Sequence, residues 1–264
     1  MWWKIETMKT ALRKIRRQIF GPLEDHYWNQ VKSEIGETCQ SLLDVGCGVN
    51  SPIQCFNPRL KYTVGLDAFP AAIEKSRALG IHDEYQLMGA LDISEHFAHR
   101  SFECVLAADI LEHLTEQEGL HLIAQMEAIA RSKVIICTPN GFLAQRDHSG
   151  NPLQRHLSGW TVKKMESLGY RVIGIHGLKW LRGEEARPRW WPSWFWSTIS
   201  LLTQSFTATR PQWALSILCI KDVKVPPDAT VSPGGNVIQP KPEPAIPIKE
   251  NVMKVKASSK RESG

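Results

Sequence analysis

The sequence predicts a doubly wound α/β domain, and three observations support this prediction. Strand-like and helix-like segments alternate from about residue 41 to residue 176. The strand-like segments are almost continuously apolar, as is typical of parallel strands that are covered on both faces. The first strand ends in a turn with two glycines, Gly46 and Gly48. Right-handed helical crossovers between such strands give an open sheet with helices on both sides.

The composition agrees with one globular domain and some appendages. The chain has 264 residues, of which 42% are hydrophobic and 22% are charged. These fractions are ordinary for a soluble protein, and they exclude a disordered chain, a collagen-like repeat and a polytopic membrane protein. The length allows one substantial core and is short for two catalytic domains.

The helices and strands are predicted from apolar runs and from the residues that start or end them. A proline at position 70 and a glycine at position 80 mark the start and end of one helix. The predicted strands are Ser41–Val45, Tyr62–Leu66, Glu84–Met88, Phe102–Ala107, Lys133–Thr138, Tyr170–His176 and Trp213–Ile220. The predicted helices are Leu23–Ile35, Pro70–Leu79, Glu116–Ala130 and a helix that Ser158 caps and that stops at Gly169.

Around this domain the sequence predicts two appendages and one insert. Residues 1–36 read as a basic amphipathic helix and a cap, because apolar residues recur at helical spacing from Ile5 to Ile19. Residues 37–221 form the predicted domain, which contains a tryptophan-rich insert at 188–207. Residues 222–264 read as a disordered tail, since proline mixes there with Lys, Ser and Gly and no apolar period remains.

The formal net charge of +5 is located almost entirely at the start of the chain. Six cations and one acid, Glu6, lie within the first twenty residues, and the remainder sums to zero. The body of the protein therefore lacks the spread of positive charge that a nucleic-acid binder needs, and we expect no nucleic-acid partner.

The basic stripe has two interpretations that the sequence leaves open. It could pack over the cleft of its own domain, or it could lie on an anionic membrane surface. The insert at 188–207 allows a similar choice between a lid over an apolar acceptor pocket and a segment at a bilayer interface. Two such segments on one chain favour a location close to a membrane.

The cysteines indicate a reducing compartment. None of the six forms a Cys-x-x-Cys pair, and Cys104, Cys137 and Cys219 lie inside apolar runs that read as buried strands. No apolar signal peptide follows the basic start. We therefore expect a cytoplasmic protein that is either soluble or peripherally attached to the inner face of the membrane.

The chemistry is concentrated where the first two strands end. Gly46 and Gly48 allow backbone N–H groups to approach a ligand, and Asp67, nineteen residues beyond Gly48, can accept from both hydroxyls of a ribose. Ser51 replaces the third glycine of the dinucleotide fingerprint, which weakens the case for a pyrophosphate. Asp44, before the turn, suits a cofactor with positive charge. S-adenosylmethionine carries an ammonium and a sulfonium.

From about Ser41 to His176 the sequence resembles the class I S-adenosylmethionine-dependent methyltransferases, in particular the small-molecule and ubiquinone-biosynthesis-like group. Four segments carry the resemblance, in addition to the turn at Cys137-Thr-Pro-Asn-Gly141. They are Asp44-Val-Gly-Cys-Gly48, Val64-Gly-Leu-Asp67, Leu91-Asp92-Ile93 and the stretch Ser101 to Leu114 that ends in Glu-His-Leu. The resemblance implies a Rossmann-like fold of seven mostly parallel strands with an antiparallel last strand, S-adenosylmethionine as the cofactor, and methyl transfer.

The resemblance also implies a set of cofactor-binding residues. These are Asp44, Gly46, Cys47, Gly48, Asp67, Ala68, Asp92, Ile93 and Asp109. The two departures from the family pattern are Glu103 in place of the usual aspartate and the altered order Gly89-Ala90-Leu91-Asp92. The adenine contact could therefore fall on Asp92 or on neighbouring backbone.

Methyl transfer from a sulfonium needs mainly alignment and exclusion of water, and a dedicated base can be unnecessary. For a hydroxyl acceptor, a neutral imidazole could take the proton, and His113 is the first candidate, followed by His156 and Asp147. We predict no metal site, since His96 and His99 have no other residues at ligand spacing and read as a solvated loop.

The sequence thus predicts a methyltransferase that acts on a small-molecule, lipid-linked or glycan-linked acceptor at oxygen or carbon. Two alternatives remain: a catalytically silent cofactor-binding scaffold at a membrane surface, and a nicotinamide-dependent dehydrogenase.

Overall fold

The computed structural model describes residues 26–36, 39–49, 51–55, 60–145 and 152–223. The strands are β1 (Ser41–Val45), β2 (Tyr62–Asp67), β3 (Glu84–Leu87), β4 (Phe102–Ala108), β5 (Ala130–Pro139), β6 (Arg171–Leu178) and β7 (Ala214–Asp222). The α-helices are α1 (His26–Ile35), α2 (Pro70–Ala78), α3 (Ile93–His96), α4 (Glu116–Ile129), α5 (Val162–Ser167), α6 (Ser193–Leu202) and α7 (Gln204–Thr209). The predicted basic helix lies outside the described residues. Of the tail predicted for residues 222–264, Asp222 belongs to β7, and residues 224–264 lie outside the described part of the chain.

The seven strands form one sheet in the order β3-β2-β1-β4-β5-β7-β6. β1 pairs in parallel with β2 on one side and with β4 on the other, whereas β7 is antiparallel to both β5 and β6. The predicted doubly wound sheet with an antiparallel last strand is confirmed. The order reverses at β1, and in sheets of this kind the ligand site lies beyond the carboxyl ends of the strands at that reversal.

The apolar strands are explained by burial on both faces. In β1, Leu43 and Val45 belong to a cluster that includes Leu122 and Met126 of α4. Leu42 of the same strand faces the opposite cluster. Alternate apolar residues therefore pack into two different cores, unlike the residues of a half-exposed sheet, in which apolar and polar positions alternate.

Most of the predicted elements agree with the structure within one or two residues, and one cap is wrong. The helix predicted to start at Ser158 is α5, and it begins at Val162, where the Thr161 hydroxyl accepts a hydrogen bond from the backbone N–H of Lys164 at 3.2 Å. Ser158 is buried instead, and its hydroxyl donates to the carbonyl oxygen of Leu111 at 3.1 Å. The helix ends before Gly169, as predicted.

Helices α6 and α7 contain most of the tryptophan-rich insert and pack on β6 with polar side chains. Gln204 is buried and bridges the strand, since its Nε2 donates to the Gly174 carbonyl at 2.9 Å and its Oε1 accepts from the Gly177 N–H at 3.1 Å. Gly177 has a φ of +71°, and a Cβ there would overlap the carbonyl oxygen of Ser200. The insert therefore sits close to the strand backbone, with hydrogen bonds on its inner side.

No helix in the described part of the chain has the length and the apolar character that crossing a membrane requires.

Candidate functional site

The turn after β1 is held open by two glycines in the left-handed region. Gly46 has a φ of +69°, and a Cβ at this position would overlap the side chain of Ile110, which follows β4. Gly48 has a φ of +53°, and a Cβ there would meet no described heavy atom within 4 Å. Gly46 thus lets the turn contact the end of β4, whereas Gly48 leaves space above its backbone into which a ligand could fit.

Cys47, between these glycines, has a structural role. Its backbone N–H donates to the Leu66 carbonyl at 2.8 Å, which ties the turn to β2. The side chain is buried, and this burial, together with the nearby carboxylates of Asp44 and Asp67, raises the pKa of the thiol. The thiol is therefore neutral at physiological pH.

Asp67 closes the other side of the turn, as the sequence predicts. Its Oδ2 accepts from the Gly48 N–H at 3.0 Å, and its Oδ1 accepts from the Phe69 N–H at 2.8 Å. Partial burial raises the pKa of the carboxyl, and these two hydrogen bonds oppose the shift. Each carboxylate oxygen can accept a further hydrogen bond, so the side chain keeps capacity for the hydroxyls of a ribose.

Asp44 lies at the same end of β1, but its carboxylate is only 1% exposed. Its Oδ2 accepts from the Ser51 hydroxyl at 2.5 Å and lies 2.9 Å from the His82 Nε2. Ser51, which stands at the third glycine position of the dinucleotide fingerprint, is thus a partner of Asp44. Through Ser51 and His82, Asp44 stabilises the turn, and its direct contact with a cofactor stays a prediction.

The segment predicted to hold the adenine follows β3, the neighbour of β2. Leu87 pairs with Asp67, and the backbone N–H of Met88 donates to the Asp67 carbonyl at 3.1 Å. A short helical turn, Ala90–Asp92, comes next, in which Asp92 is exposed, while Ile93 is fully buried. Ala68, directly after β2, is exposed. These residues lie at the same edge of the sheet as the glycine turn.

Asp109 follows β4 at that edge. It has a φ of +54°, and its N–H donates to the Cys137 carbonyl at 2.9 Å. Asp109 is exposed, but the surrounding protein displaces part of the water around its carboxyl, and this desolvation raises the pKa of the carboxyl to about 6. The turn that begins with Asp109 leads directly to Glu112 and His113.

His113, the predicted base, lies beside His156. The ring centroids are 4.8 Å apart in an edge-to-face arrangement. Burial lowers the pKa of both imidazoles, and this shift is opposed by a hydrogen bond from each Nδ1 to a backbone carbonyl. Both rings are therefore neutral near pH 7. Asp147, the other candidate, lies outside the described residues.

Two buried residues at the site were not anticipated from the sequence. Glu112 is 3% exposed, and its Oε2 accepts from the Thr138 hydroxyl at 2.9 Å. Burial and the nearby Asp109 raise the pKa of the Glu112 carboxyl well above its usual range. His82 reaches Asp44 across the sheet and is equally buried. The Glu-His pair at 112–113 was the only local signal, since Thr138 is 26 residues from Glu112 and His82 is 38 residues from Asp44.

The insert reaches the same edge of the sheet as the cofactor turn. Pro139, at the end of β5, pairs with Ser216 near the start of β7. The side-chain amide of Asn140 donates to three backbone carbonyls between Pro211 and Ala214, at 3.0 to 3.2 Å. Since the insert lies directly before this segment in the chain, it borders the ligand side of the sheet.

Large exposed aromatic side chains lie on the outer side of the insert, together with Trp180, whose ring centroid is 6.1 Å from that of Trp190. We call them the tryptophan surface: Trp180, Trp190, Trp191, Trp194 and Phe195. Trp191 is 89% exposed and Trp194 is 72% exposed. The inner side holds the buried polar residues Ser200, Gln204 and Thr207. This arrangement, polar inside and aromatic outside, is the reverse of an ordinary surface helix, and such exposed apolar patches mark interaction surfaces.

Comparisons with known proteins agree with this geometry. Residues 43–138 match a family model described as a methyltransferase domain. No curated protein matches the chain. Among solved structures, the methyltransferase domain of bacterial CtHen1-C has a TM-score of 0.51 at 13% identity and covers 77% of this chain and 100% of its own.

A second similar structure is the N-methyltransferase NodS from Bradyrhizobium japonicum in complex with S-adenosyl-L-homocysteine. It has a TM-score of 0.50 at 13% identity and covers 77% of this chain and 89% of its own. At these identities the structural similarity concerns the fold alone. The matched segment 43–138 spans β1 to β5 and so includes the glycine turn, Asp67, Asp109 and His113.

Proposed function

We propose that the chain is a class I, S-adenosylmethionine-dependent methyltransferase that transfers a methyl group to an acceptor bound beside the end of β4, because residues 43–138 match a methyltransferase domain. S-adenosylmethionine is the cofactor of such a domain and supplies the methyl group on a sulfonium. The resemblance inferred from the sequence is thereby confirmed, and methyl transfer is favoured over the nicotinamide alternative.

One observation carries the assignment of the cofactor site. Gly48 has open space where a Cβ would stand, and its N–H is fixed by the carboxylate of Asp67. A backbone that is free of side chains, next to an acid with spare acceptor capacity, fits the close approach of a ribose. Titration calorimetry with S-adenosylhomocysteine tests this assignment, and NAD serves as the control ligand. Heat with NAD and none with S-adenosylhomocysteine would refute it.

We further propose that the methyl acceptor is a hydroxyl oxygen or a carbon nucleophile. For an oxygen acceptor, an electron pair of the oxygen forms the new bond to the methyl carbon while the carbon–sulfur bond breaks and its electrons stay on sulfur. The hydroxyl proton must go to a base. The ring of His113 can serve as this base, because burial lowers its pKa and the imidazole is therefore neutral at pH 7.

The role of His113 can be tested by its removal. Loss of a residue that assists proton transfer typically lowers the rate by about 10²- to 10⁴-fold. We expect His113→Ala to lower kcat within this range once an acceptor is known, with unchanged binding of S-adenosylhomocysteine. Turnover close to that of the unmodified protein would remove His113 from the mechanism.

We also propose that the acceptor is lipid-linked and that the protein works at an anionic membrane surface on the cytoplasmic side. The support comes from the tryptophan surface, which borders the ligand edge of the sheet. Tryptophan side chains favour the interface between lipid headgroups and acyl chains. The cations of the first twenty residues supply a charge that anionic lipid attracts.

Sedimentation with vesicles of phosphatidylglycerol and phosphatidylcholine tests this proposal. We expect the chain to pellet with these vesicles and to remain in the supernatant after neutralisation of Arg13, Lys14, Arg16 and Arg17. The double change Trp191→Ser and Trp194→Ser should also weaken pelleting. Leu79→Ser is a matched control, because Leu79 is 62% exposed and lies after α2, outside the insert. Pelleting that ignores both sets of changes would contradict the proposal.

The silent scaffold is separated from the enzyme by turnover. Release of S-adenosylhomocysteine in the presence of lipid or glycan extracts supports the enzyme. Mass spectrometry of the extract should then show an acceptor that has gained a methyl group.

A further inference from the structure

Glu112, His113 and His156 form a compact group of metal-ligating side chains at the end of β4. One potential ligand atom of each residue lies within 4.8 Å of those of the other two. In a tetrahedral site with metal–ligand distances of about 2.1 Å, ligand atoms lie about 3.4 Å apart. Side-chain movements on the order of 1 Å would therefore bring the three atoms to bonding geometry around one ion.

Both imidazoles are held in the tautomer that a metal ligand needs. The Nδ1 of His113 lies 3.2 Å from the carbonyl oxygen of Arg155, and the Nδ1 of His156 lies 2.6 Å from that of Leu143. A carbonyl oxygen only accepts, so each Nδ1 carries the hydrogen and each Nε2 carries the free electron pair. Metal-binding histidines are commonly oriented by such a bond from the other ring nitrogen.

The third residue, Glu112, is a buried acid that lacks a basic partner among the described residues. No described lysine or arginine lies within ion-pair distance of it. Its carboxylate is oriented by the Thr138 hydroxyl, which donates to Oε2 at 2.9 Å. A buried carboxylate is costly unless it is paired or binds a metal, and a cation at this place would supply the missing charge.

The backbone holds the three residues together although His156 is 43 positions from His113 in the sequence. The N–H groups of Leu157 and Ser158 both donate to the Glu112 carbonyl, at 2.7 and 3.2 Å. The Ser158 hydroxyl and the Trp160 indole both donate to the carbonyl of Leu111. The segment that carries His156 is thus fastened to the turn that carries the other two ligands.

We propose that Glu112, His113 and His156 bind one divalent transition-metal ion. Two imidazoles and one carboxylate favour an ion such as Zn²⁺, Mn²⁺ or Fe²⁺ over Mg²⁺ or Ca²⁺, which prefer oxygen ligands throughout. Three protein ligands leave at least one coordination position for a substrate oxygen.

The position of the ion gives it a role that rests on the proposed function. Ile110, two residues before Glu112, contacts the glycine turn at Gly46. An ion at this place would hold an acceptor hydroxyl on the methyl side of the cleft and favour loss of its proton. With an ion bound, the electron pair of His113 would be used for the metal, so the acceptor proton would go to solvent; the role of His113 as base applies to the protein without metal. The proposed site departs from the sequence-based expectation of no metal.

Metal content and spectroscopy of the full chain test the site without any acceptor. The protein is stripped with a chelator, loaded with Zn²⁺, Mn²⁺, Fe²⁺ or Co²⁺, dialysed and analysed by mass spectrometry for metal. We expect about one ion per chain for at least one of these metals. The Co²⁺-loaded protein should show the visible absorption that is typical of a Co²⁺ ion with four or five ligands. Glu112→Gln and His156→Gln should each weaken binding more than about 100-fold, beyond the roughly 10- to 100-fold effect of losing a residue that only orients a ligand.

Two further variants keep the test sharp. His96→Gln is the matched control, since His96 is exposed at the end of α3 and should bind metal as the parent does. Thr138→Val keeps all three ligands and removes only the orienting hydroxyl, so it should weaken binding by about 10-fold. Circular dichroism of each variant establishes that it is folded.

The outcomes separate this inference from the proposed function. A chain that binds S-adenosylhomocysteine but retains none of the four metals overturns the metal site alone. A chain that retains an ion but does not bind S-adenosylhomocysteine supports the metal site and overturns the proposed function. Equal metal binding by the parent and by folded His156→Gln also overturns the metal site.

Discussion

Replacement of Gly48 by alanine separates the cofactor site from the stability of the turn. Gly48 has a φ of +53°, so alanine there adopts a left-handed conformation that costs about 1–2 kcal/mol. The added methyl group meets no described heavy atom within 4 Å, so no steric cost arises from the part of the chain that the structure describes. For a domain of about 200 residues, this loss lowers Tm by roughly 2–8 °C.

The same methyl group occupies the space into which the cofactor is expected to fit. A single unfavourable contact of about 1.4 kcal/mol weakens binding tenfold, and a methyl group against a ribose or a methionine chain costs at least this amount. We therefore expect Gly48→Ala to bind S-adenosylhomocysteine more than about tenfold more weakly than the parent, as measured by titration calorimetry at a temperature where both are folded.

Gly80→Ala provides the matched control. Gly80 follows α2, has a φ of +62°, and likewise has no heavy atom of residues 26–36, 39–49, 51–55, 60–145 or 152–223 within 4 Å of a Cβ position. The two variants should lose similar stability, but only Gly48→Ala should lose affinity for S-adenosylhomocysteine. Equal affinity of the two variants would refute the assignment of the space above Gly48 to the cofactor.

Three further predictions concern acid–base behaviour and stability. The pKa of Asp67 is raised in the folded state, so the contribution of this carboxyl to stability is present below about pH 4 and is lost as pH rises through the folded pKa. Tm measured against pH should show this decrease. Asp67→Asn should remove the decrease and weaken binding of S-adenosylhomocysteine. Gly177→Ala should cost about 3 kcal/mol or more, because a left-handed φ and an overlap with the Ser200 carbonyl add up; urea unfolding measures it, and a change below 1 kcal/mol would contradict the close packing of the insert. Leu106→Ala, at a fully buried position of β4, should cost about 2–5 kcal/mol in the same assay and leave S-adenosylhomocysteine binding intact where the variant is folded.

The fold could be predicted because its signals are local. Each strand is an apolar run, and its ends are marked by residues with distinctive backbone preferences, such as Pro70 and Gly80. Ser158 was predicted as the cap because serine is a typical N-cap residue before a helical segment, and this prediction was wrong. Tertiary contacts decide otherwise: the hydroxyl of Ser158 is used by Leu111, 47 residues away.

The candidate site was only partly predictable, for the same physical reason. The residues at the ends of β1 and β2 belong to short motifs, and the structure brings Gly48 and Asp67 into direct contact, as expected from parallel pairing. The partners of Asp44 and Glu112 could not be found this way. Ser51 meets Asp44 through the course of the loop after β1, whereas His82 reaches Asp44, and His156 lies beside His113, through the packing of segments that are distant in sequence.

The inner side of the insert has a consequence for attempts at retargeting the protein. Gln204 hydrogen-bonds to the strand backbone at Gly174 and Gly177, so removal of α6 and α7 would leave these backbone groups without their partner and destabilise the edge of the sheet. Trp191 and Trp194 take no part in that anchorage and project outward. The outward aromatic side chains could therefore be exchanged by mutagenesis, which would change the surface that the protein binds without disturbing the sheet.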